Sequence, residues 1–174
     1  MPFNTYIDES ARADFLLVGV NVPQENLFEV RQAMRSFRTK DSHHIHMYRE
    51  PRGRQEFITQ VVSELDLNAW IIRVAGTTAK EPLARDLALQ SLCQISSIKD
   101  SRLLTLDYIN RNRLDNSILR NIAQNADYQF PHYRHMNSRH EPLLWLPDII
   151  AWCYGRGGTW RDAAEPLVNE VIEI

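Results

Sequence analysis

Three aspartates stand where apolar runs end or begin. Asp8 follows Tyr6-Ile7 in the opening MPFNTYIDES, Asp107 follows Leu103-Leu104-Thr105-Leu106, and Asp148 leads into Ile149-Ile150-Ala151-Trp152-Cys153. Ligands of α/β proteins gather outside the carboxyl ends of strands, so acids at strand ends are placed where chemistry occurs. Two or three carboxylates brought together repel one another unless a cation neutralises them, and hard oxygen donors select Mg²⁺ or Mn²⁺. A pair of such ions about 3.5–4 Å apart can hold the attacking and leaving oxygens of a phosphodiester. Spacing alone leaves plainer roles open: Asp8 as a turn residue, Asp107 as a strand terminator, Asp148 as an acid at a helix N-terminus.

Histidine and arginine supply the other polar constellations. His44 and His46 alternate with Ile45 and Met47 before Tyr48, and His132, His135 and His140 lie later in the chain. Imidazoles at i and i+2 can reach one zinc ion, but no cysteine lies nearby and no H-x-x-x-H helix pair exists, so zinc is not the expected metal. A zinc-dependent hydrolase built on the histidines is a third-ranked reading. The stronger expectation puts His46 or His135 beside the acids, moving a proton or contacting phosphate.

Seventeen of the twenty basic residues are arginine, the side chain suited to forked contacts with phosphate or carboxylate. Charge is unevenly spread. Residues 31–54 carry a net +5 and residues 102–139 a net +3, while residues 1–30 and 140–174 each carry −4 and residues 55–101 carry −2. Arg38, Arg49 and Arg52 from the first basic block, with Arg111 and Arg113 from the second, are the candidates for contacts to a nucleic-acid backbone. Solvated surface is the plain alternative for both blocks.

Hydrophobic periodicity must position these groups. Phe3 to Ile7 and the wholly apolar Phe15 to Val22 read as strands, joined as a hairpin by the polar Asp8 to Asp14. Leu27, Val30, Met34 and Phe37 repeat at helical spacing after Pro23. His44 to Tyr48 reads as a strand, Phe57 to Leu65 as a helix after the Pro51–Gly53 break, and Leu67 to Ala75 as a strand closed by Gly76. A helix then runs through Leu83, Leu87, Leu92 and Ile95 to Ile98, followed by a strand at Leu103 to Leu106 and a helix through Leu114, Ile118, Leu119 and Ile122. Tyr128 to Tyr133 is a weaker strand. Pro147 fits a helix start rather than an interior, and that helix stops at Gly155–Gly158. Thr159 would cap a last helix ending in Val171 to Ile174. Strands alternating with helices predict an α/β fold with a mixed central sheet flanked by helices, in one domain over residues 1–174.

Composition narrows the classes further. The chain has 174 residues, 44% hydrophobic, with a net charge of −2 and only 8 Pro and 6 Gly, which excludes disorder. Its longest apolar runs fall short of the about 20 residues of a membrane span. The N-terminus has no apolar core behind a basic start, which predicts no signal peptide and a cytoplasmic location. Cys93 and Cys153 read as reduced packing residues, and Trp145, Trp152 and Trp160 as core rather than base-stacking groups. No G-x-x-x-x-G-K-[ST], G-x-G-x-x-G or G-x-S-x-G pattern occurs, which argues against nucleoside-triphosphate, dinucleotide and serine-hydrolase chemistry.

The order Tyr6-Ile7-Asp8-Glu9-Ser10, His44-Ile45-His46-Met47, Leu104-Thr105-Leu106-Asp107 and Pro142-Leu143-Leu144-Trp145-Leu146-Pro147-Asp148 resembles a widespread uncharacterised bacterial family, the domain of unknown function numbered 3800. The likeness runs from about Phe3 to the C-terminal helix. It implies a ribonuclease-H-like single domain, with Asp8, Asp107 and Asp148 as ligands of Mg²⁺ or Mn²⁺ and Glu9 beside them as a catalytic candidate, to which the histidine reading adds His46. Two residues depart from the family pattern: Ala11 stands where Gly is frequent, and Pro147 where a small residue usually precedes the helix aspartate. Such enzymes commonly use four acids. Glu9, Glu50, Asp115 and Glu141 are the candidates for the fourth, with Glu9 preferred, although Asp8 and Glu9 face opposite ways from a regular strand unless the chain bends beyond Ile7. The resemblance therefore implies a metal-dependent nuclease acting on nucleic acid. The alternative is a non-catalytic binding module on the same scaffold, belonging to a defence or toxin–antitoxin pair.

Overall fold

A computed structural model describes residues 1–76 and 82–174 of the chain. Six strands form one mixed sheet: β1 (Phe3–Ala11), β2 (Phe15–Pro23), β3 (Asn68–Val74), β4 (Ser101–Asp107), β5 (His132–Met136) and β6 (Val168–Glu173), in the order β5-β4-β1-β2-β3-β6. β1, β2 and β3 are antiparallel neighbours, whereas β4 and β5 continue from β1 in parallel and β6 lies parallel to β3. β2 is buried along all but its last residue, as an apolar strand covered on both faces must be.

The helices are α1 (Leu27–Arg35), α2 (Arg52–Ser63), α3 (Pro82–Gln90), α4 (Asn112–Asn125), α5 (Trp145–Arg156) and α6 (Gly158–Ala164). Side chains alternate across the sheet, so each strand feeds two cores. Tyr6, Val18, Val20 and Ile71 point into one core with Met34, Ile58 and the apolar residues of α5. Ile7, Leu17, Trp70, Leu104 and Leu106 point into the other with Ala88 of α3 and Leu119 of α4. α5 is buried almost all round, from Trp145 to Cys153, and Asp148 is the one acid on it. Pro147 lies in its first turn, where its missing N–H leaves no bond unmade.

Several elements differ from the sequence expectation. β1 does not stop at Ile7 but stays paired to Ala11, opposite Phe15, so the hairpin connection shrinks to residues 12–14 and Asp8 lies within the strand. His44 to Tyr48 is no strand: His46 is extended, and a short 3₁₀ turn, Met47–Arg49, follows. Ile45 and Met47 are both buried, and the Met47 N–H bonds a side chain, Asp148, rather than a neighbouring strand. The α-helix expected through Ile98 ends at Gln90 and tightens into a 3₁₀ turn, Ser91–Gln94, after which Ile95 is extended and Ser96 and Ser97 bond Glu170 and Asn21. The Tyr128 to Tyr133 strand begins later, at His132, after Pro131, which has no N–H to give. The final helix ends at Ala164 ahead of Pro166, and Val171 to Glu173 belong to β6 instead. Cys153 is buried against Thr59 as expected, but Cys93 is exposed.

Candidate metal centre

The parallel register of β1 and β4 sets Ile7 beside Leu106, which brings the next residues, Asp8 and Asp107, together on one face. α5 packs across β1 and β2 on that same face and presents Asp148 from its first turn. Asp8, Asp107 and Asp148 line one cavity of about 450 Å³, together with Glu9, Ser10, Ala11, Arg12, His46, Tyr48 and Trp152. All three sequence-predicted aspartates thus meet at one site.

Each aspartate accepts a backbone N–H: Asp8 from Glu9 at 2.7 Å, Asp107 from Ser138 at 3.2 Å and Asp148 from Met47 at 3.2 Å. Among the described residues none of the three forms an ion pair. Burial pushes the Asp8 carboxyl well above the usual carboxylate range, and Asp148 and then Asp107 push it further. Burial raises Asp148 to about 6, with Asp107 adding to the rise. Asp107 is raised by burial and partly relieved by the N–H groups of Ser138 and Tyr108. Carboxylates gathered in this way without a cation are electrostatically unsatisfied, and their oxygens are the donors that Mg²⁺ or Mn²⁺ prefers. The donor chemistry fits such an ion. Among the described residues, however, no group of three His, Cys, Asp or Glu side chains is arranged to hold a metal ion.

Glu9 behaves differently, because β1 runs on without the bend that would turn Asp8 and Glu9 to the same side. Its Oε2 accepts Arg85 Nη1, and Arg85 also forks onto Asp115 at 3.1 and 2.7 Å. His135 Nε2 lies 3.0 Å from the same carboxylate. Burial alone would raise Asp115, but His135 and Arg85 outweigh it and hold that carboxyl at about 2. His135 is therefore tied to a buried ion cluster beneath the α3–α4 face and does not face the three aspartates. The other candidates for a fourth acid are also neutralised: Glu50 by Arg54 at 2.7 Å, and Glu141 by Arg31 at 3.1 Å. Replacing Arg85 by Met leaves Asp115 buried beside an unpaired Glu9, so Arg85→Met should lower unfolding stability in urea by about 3–5 kcal/mol.

His46 does line the acid cavity, and its ring packs 4.1 Å from that of His44. Burial lowers both imidazoles, His44 to about 4 with help from His46, Arg139 and Arg49. Both are therefore neutral at pH 7, which suits His46 to accept a proton rather than to carry charge. The predicted arginines are scattered. Arg49 stands over Tyr48 near His46, and Arg38 over Trp145. Arg52 pairs with Glu56, away from the cavity, and Arg111 is bound to Asp86 and the Pro82 carbonyl. Arg113 is exposed on α4. The arginine at the acids is one that sequence reasoning missed: Arg12, which lies over the Trp152 ring and favours the ionised form of Asp148. Its signal was its position, as the lone base in an acidic segment just beyond Tyr6-Ile7-Asp8-Glu9-Ser10.

The six-stranded mixed sheet flanked by helices is a ribonuclease-H-like α/β fold. The chain is similar, at 13% identity and a TM-score of 0.57, to a solved chain of the PCNA:RNase HII complex from Archaeoglobus fulgidus, with 96% of this chain and 78% of that one covered. It is also similar, at 10% identity and a TM-score of 0.52, to Bst-RNase HIII in complex with Mn²⁺, covering 95% of this chain but only 61% of that one. No protein-family model and no curated protein matches the chain. No helix among the described residues is long and apolar enough to cross a membrane.

Proposed function

We propose that this chain is a divalent-metal-dependent nuclease whose metal ligands are Asp8, Asp107 and Asp148. The observation that carries the reading is the gathering of three aspartates without ion pairs in one cavity, on a fold shared with RNase HII and with an RNase HIII that binds Mn²⁺. A cation held there supplies charge neutralisation at phosphoryl oxygens and a lowered pKa for water. The chain supplies the rest. Asp8 and Asp107 are fixed by strand pairing, Asp148 is fixed by a buried helix, and neutral His46 stands where it can take a proton. Arg12 offers charge to a backbone phosphate beside the carboxylates. The ordered motifs support membership of the domain of unknown function 3800 family and one domain over residues 1–174.

Labelled single-stranded RNA, single-stranded DNA and RNA–DNA hybrid, incubated in Mg²⁺, in Mn²⁺ and in EDTA, test the proposal. Cleavage of at least one substrate that stops in EDTA is expected. Absence of cleavage of all three, or cleavage that persists in EDTA, overturns the metal mechanism. Two observations favour the alternative of a non-catalytic binding module: among the described residues no three potential ligands are arranged to hold a metal, and Glu9 is occupied by Arg85. Substrate binding without cleavage in either metal would establish that second reading.

A further inference from the structure

A second cavity, of about 370 Å³, adjoins the acid cavity through His46, which lines both. Its other lining residues are Asp41, Ser42, His43, His44, Arg49, Glu50 and Arg139. The charge within it is not the sum of those residues, because Glu50 already pairs with Arg54. Among the described residues Arg49 and Arg139 have no carboxylate partner, and both lie close enough to act electrostatically on His44 and His46. Asp41 is the one remaining lining acid. Two uncommitted guanidinium groups facing two imidazoles offer forked charged donors and ring N–H donors to one small anion. The groups that line it without a carboxylate partner are N–H donors, two of them permanently cationic, so an anion fits the donor set.

We propose that the cavity lined by Arg49, Arg139, His44 and His46 is a phosphate subsite, which takes a phosphate of the nucleic-acid strand next to the one at the three aspartates. This rests on the nuclease reading for the identity of the strand. The shared residue His46 makes the two cavities contiguous, so one strand can occupy both. The phosphate can be an internal diester or a strand end, and the chemistry of the subsite is the same for both.

Fluorescence anisotropy of labelled single-stranded RNA and DNA, titrated in EDTA, reads the subsite without any cleavage. Arg49 and Arg139 are both exposed, so the double variant Arg49→Gln/Arg139→Gln is expected to fold. It should bind at least about tenfold more weakly than wild type. The slope of log affinity against log salt should also fall by about 0.7–0.9 for each phosphate that the variant no longer neutralises. Asp41→Asn should tighten binding. Tighter binding of a 5′-phosphorylated strand than of its 5′-hydroxyl counterpart, abolished in the double variant, assigns a strand end; equal binding assigns an internal phosphate. Unchanged affinity and salt slope in the double variant, or no binding by wild type, overturns the subsite. Cleavage by wild type in Mn²⁺ is scored separately. A subsite that fails while cleavage persists leaves the nuclease reading standing, and weakened binding by the double variant of a protein that does not cleave has the converse meaning.

Discussion

Asp107→Asn is expected to reduce Mn²⁺-dependent cleavage by at least about 100-fold, since loss of even a group supporting a metal ligand costs about 10–100-fold in affinity or activity. The substitution is nearly isosteric. Asn retains an oxygen that can accept the Ser138 N–H, so the end of β4 and its pairing with β5 should be undisturbed. What changes is charge. Asp8 and Asp148 would lose the third carboxylate that stands with them, and a divalent cation would lose one of its three anionic donors. Thermal unfolding of the variant without metal should match or exceed that of wild type, which separates a damaged site from a damaged fold. Cleavage at the wild-type rate in Asp107→Asn would remove the aspartate from the mechanism.

Asp148→Asn is expected to stabilise the metal-free protein. Burial first and Asp107 second raise the folded-state value of Asp148 to about 6, against about 3.9 for an unfolded aspartate. The folded state therefore binds the proton more tightly than the unfolded state. Its contribution to stability is complete below about pH 4 and is lost as pH rises through about 6. At pH 7.5 the buried charge should destabilise the metal-free wild type by on the order of 1–3 kcal/mol relative to the neutral Asn, a difference of about 2–10 °C in Tm. At pH 4 the two proteins should melt together. Asp8, raised by burial and by both other aspartates, contributes with the same sign and leaves a pH slope in the variant. A Tm advantage that is absent at pH 7.5, or that persists undiminished at pH 4, would contradict the assignment. The same substitution should remove activity, so stability and function move in opposite directions at this residue.

The three aspartates were legible in the sequence because each is attached to an apolar run that leaves little choice of element. Leu103 to Leu106 and Phe15 to Val22 must be strands, and the helix after Asp148 must be buried. Their proximity then follows from one parallel register and one crossing helix. The Glu9 cluster was not legible. Arg85 reaches Glu9 across 76 residues and Asp115 across 30, and neither spacing has a periodicity that local pattern can reveal. Strand alternation did supply the right warning, that Asp8 and Glu9 point apart unless the chain bends. The unbroken pairing to Ala11 shows that it does not bend. His44 to Tyr48 misled because alternation of apolar and polar residues arises whenever an extended segment is anchored by every second side chain. Here the anchors Ile45 and Met47 are buried in the core, and no strand lies alongside. β6 was missed for the opposite reason: as an edge strand with alternating exposure, it has too few apolar residues to be told from the end of a helix. Arg12 of the acid cavity and Arg139 of the adjoining one lie outside the five arginines singled out, since block charge counts residues along the chain and not across the sheet.

Whether Asp8, Asp107 and Asp148 form one divalent-cation centre is tested most directly by Mn²⁺ binding to the purified protein. Electron paramagnetic resonance of free Mn²⁺ during titration should show saturable uptake by wild type that is abolished in Asp8→Ala and retained in Arg49→Gln/Arg139→Gln. No saturable uptake by wild type, or uptake by Asp8→Ala with unchanged affinity and stoichiometry, would contradict it.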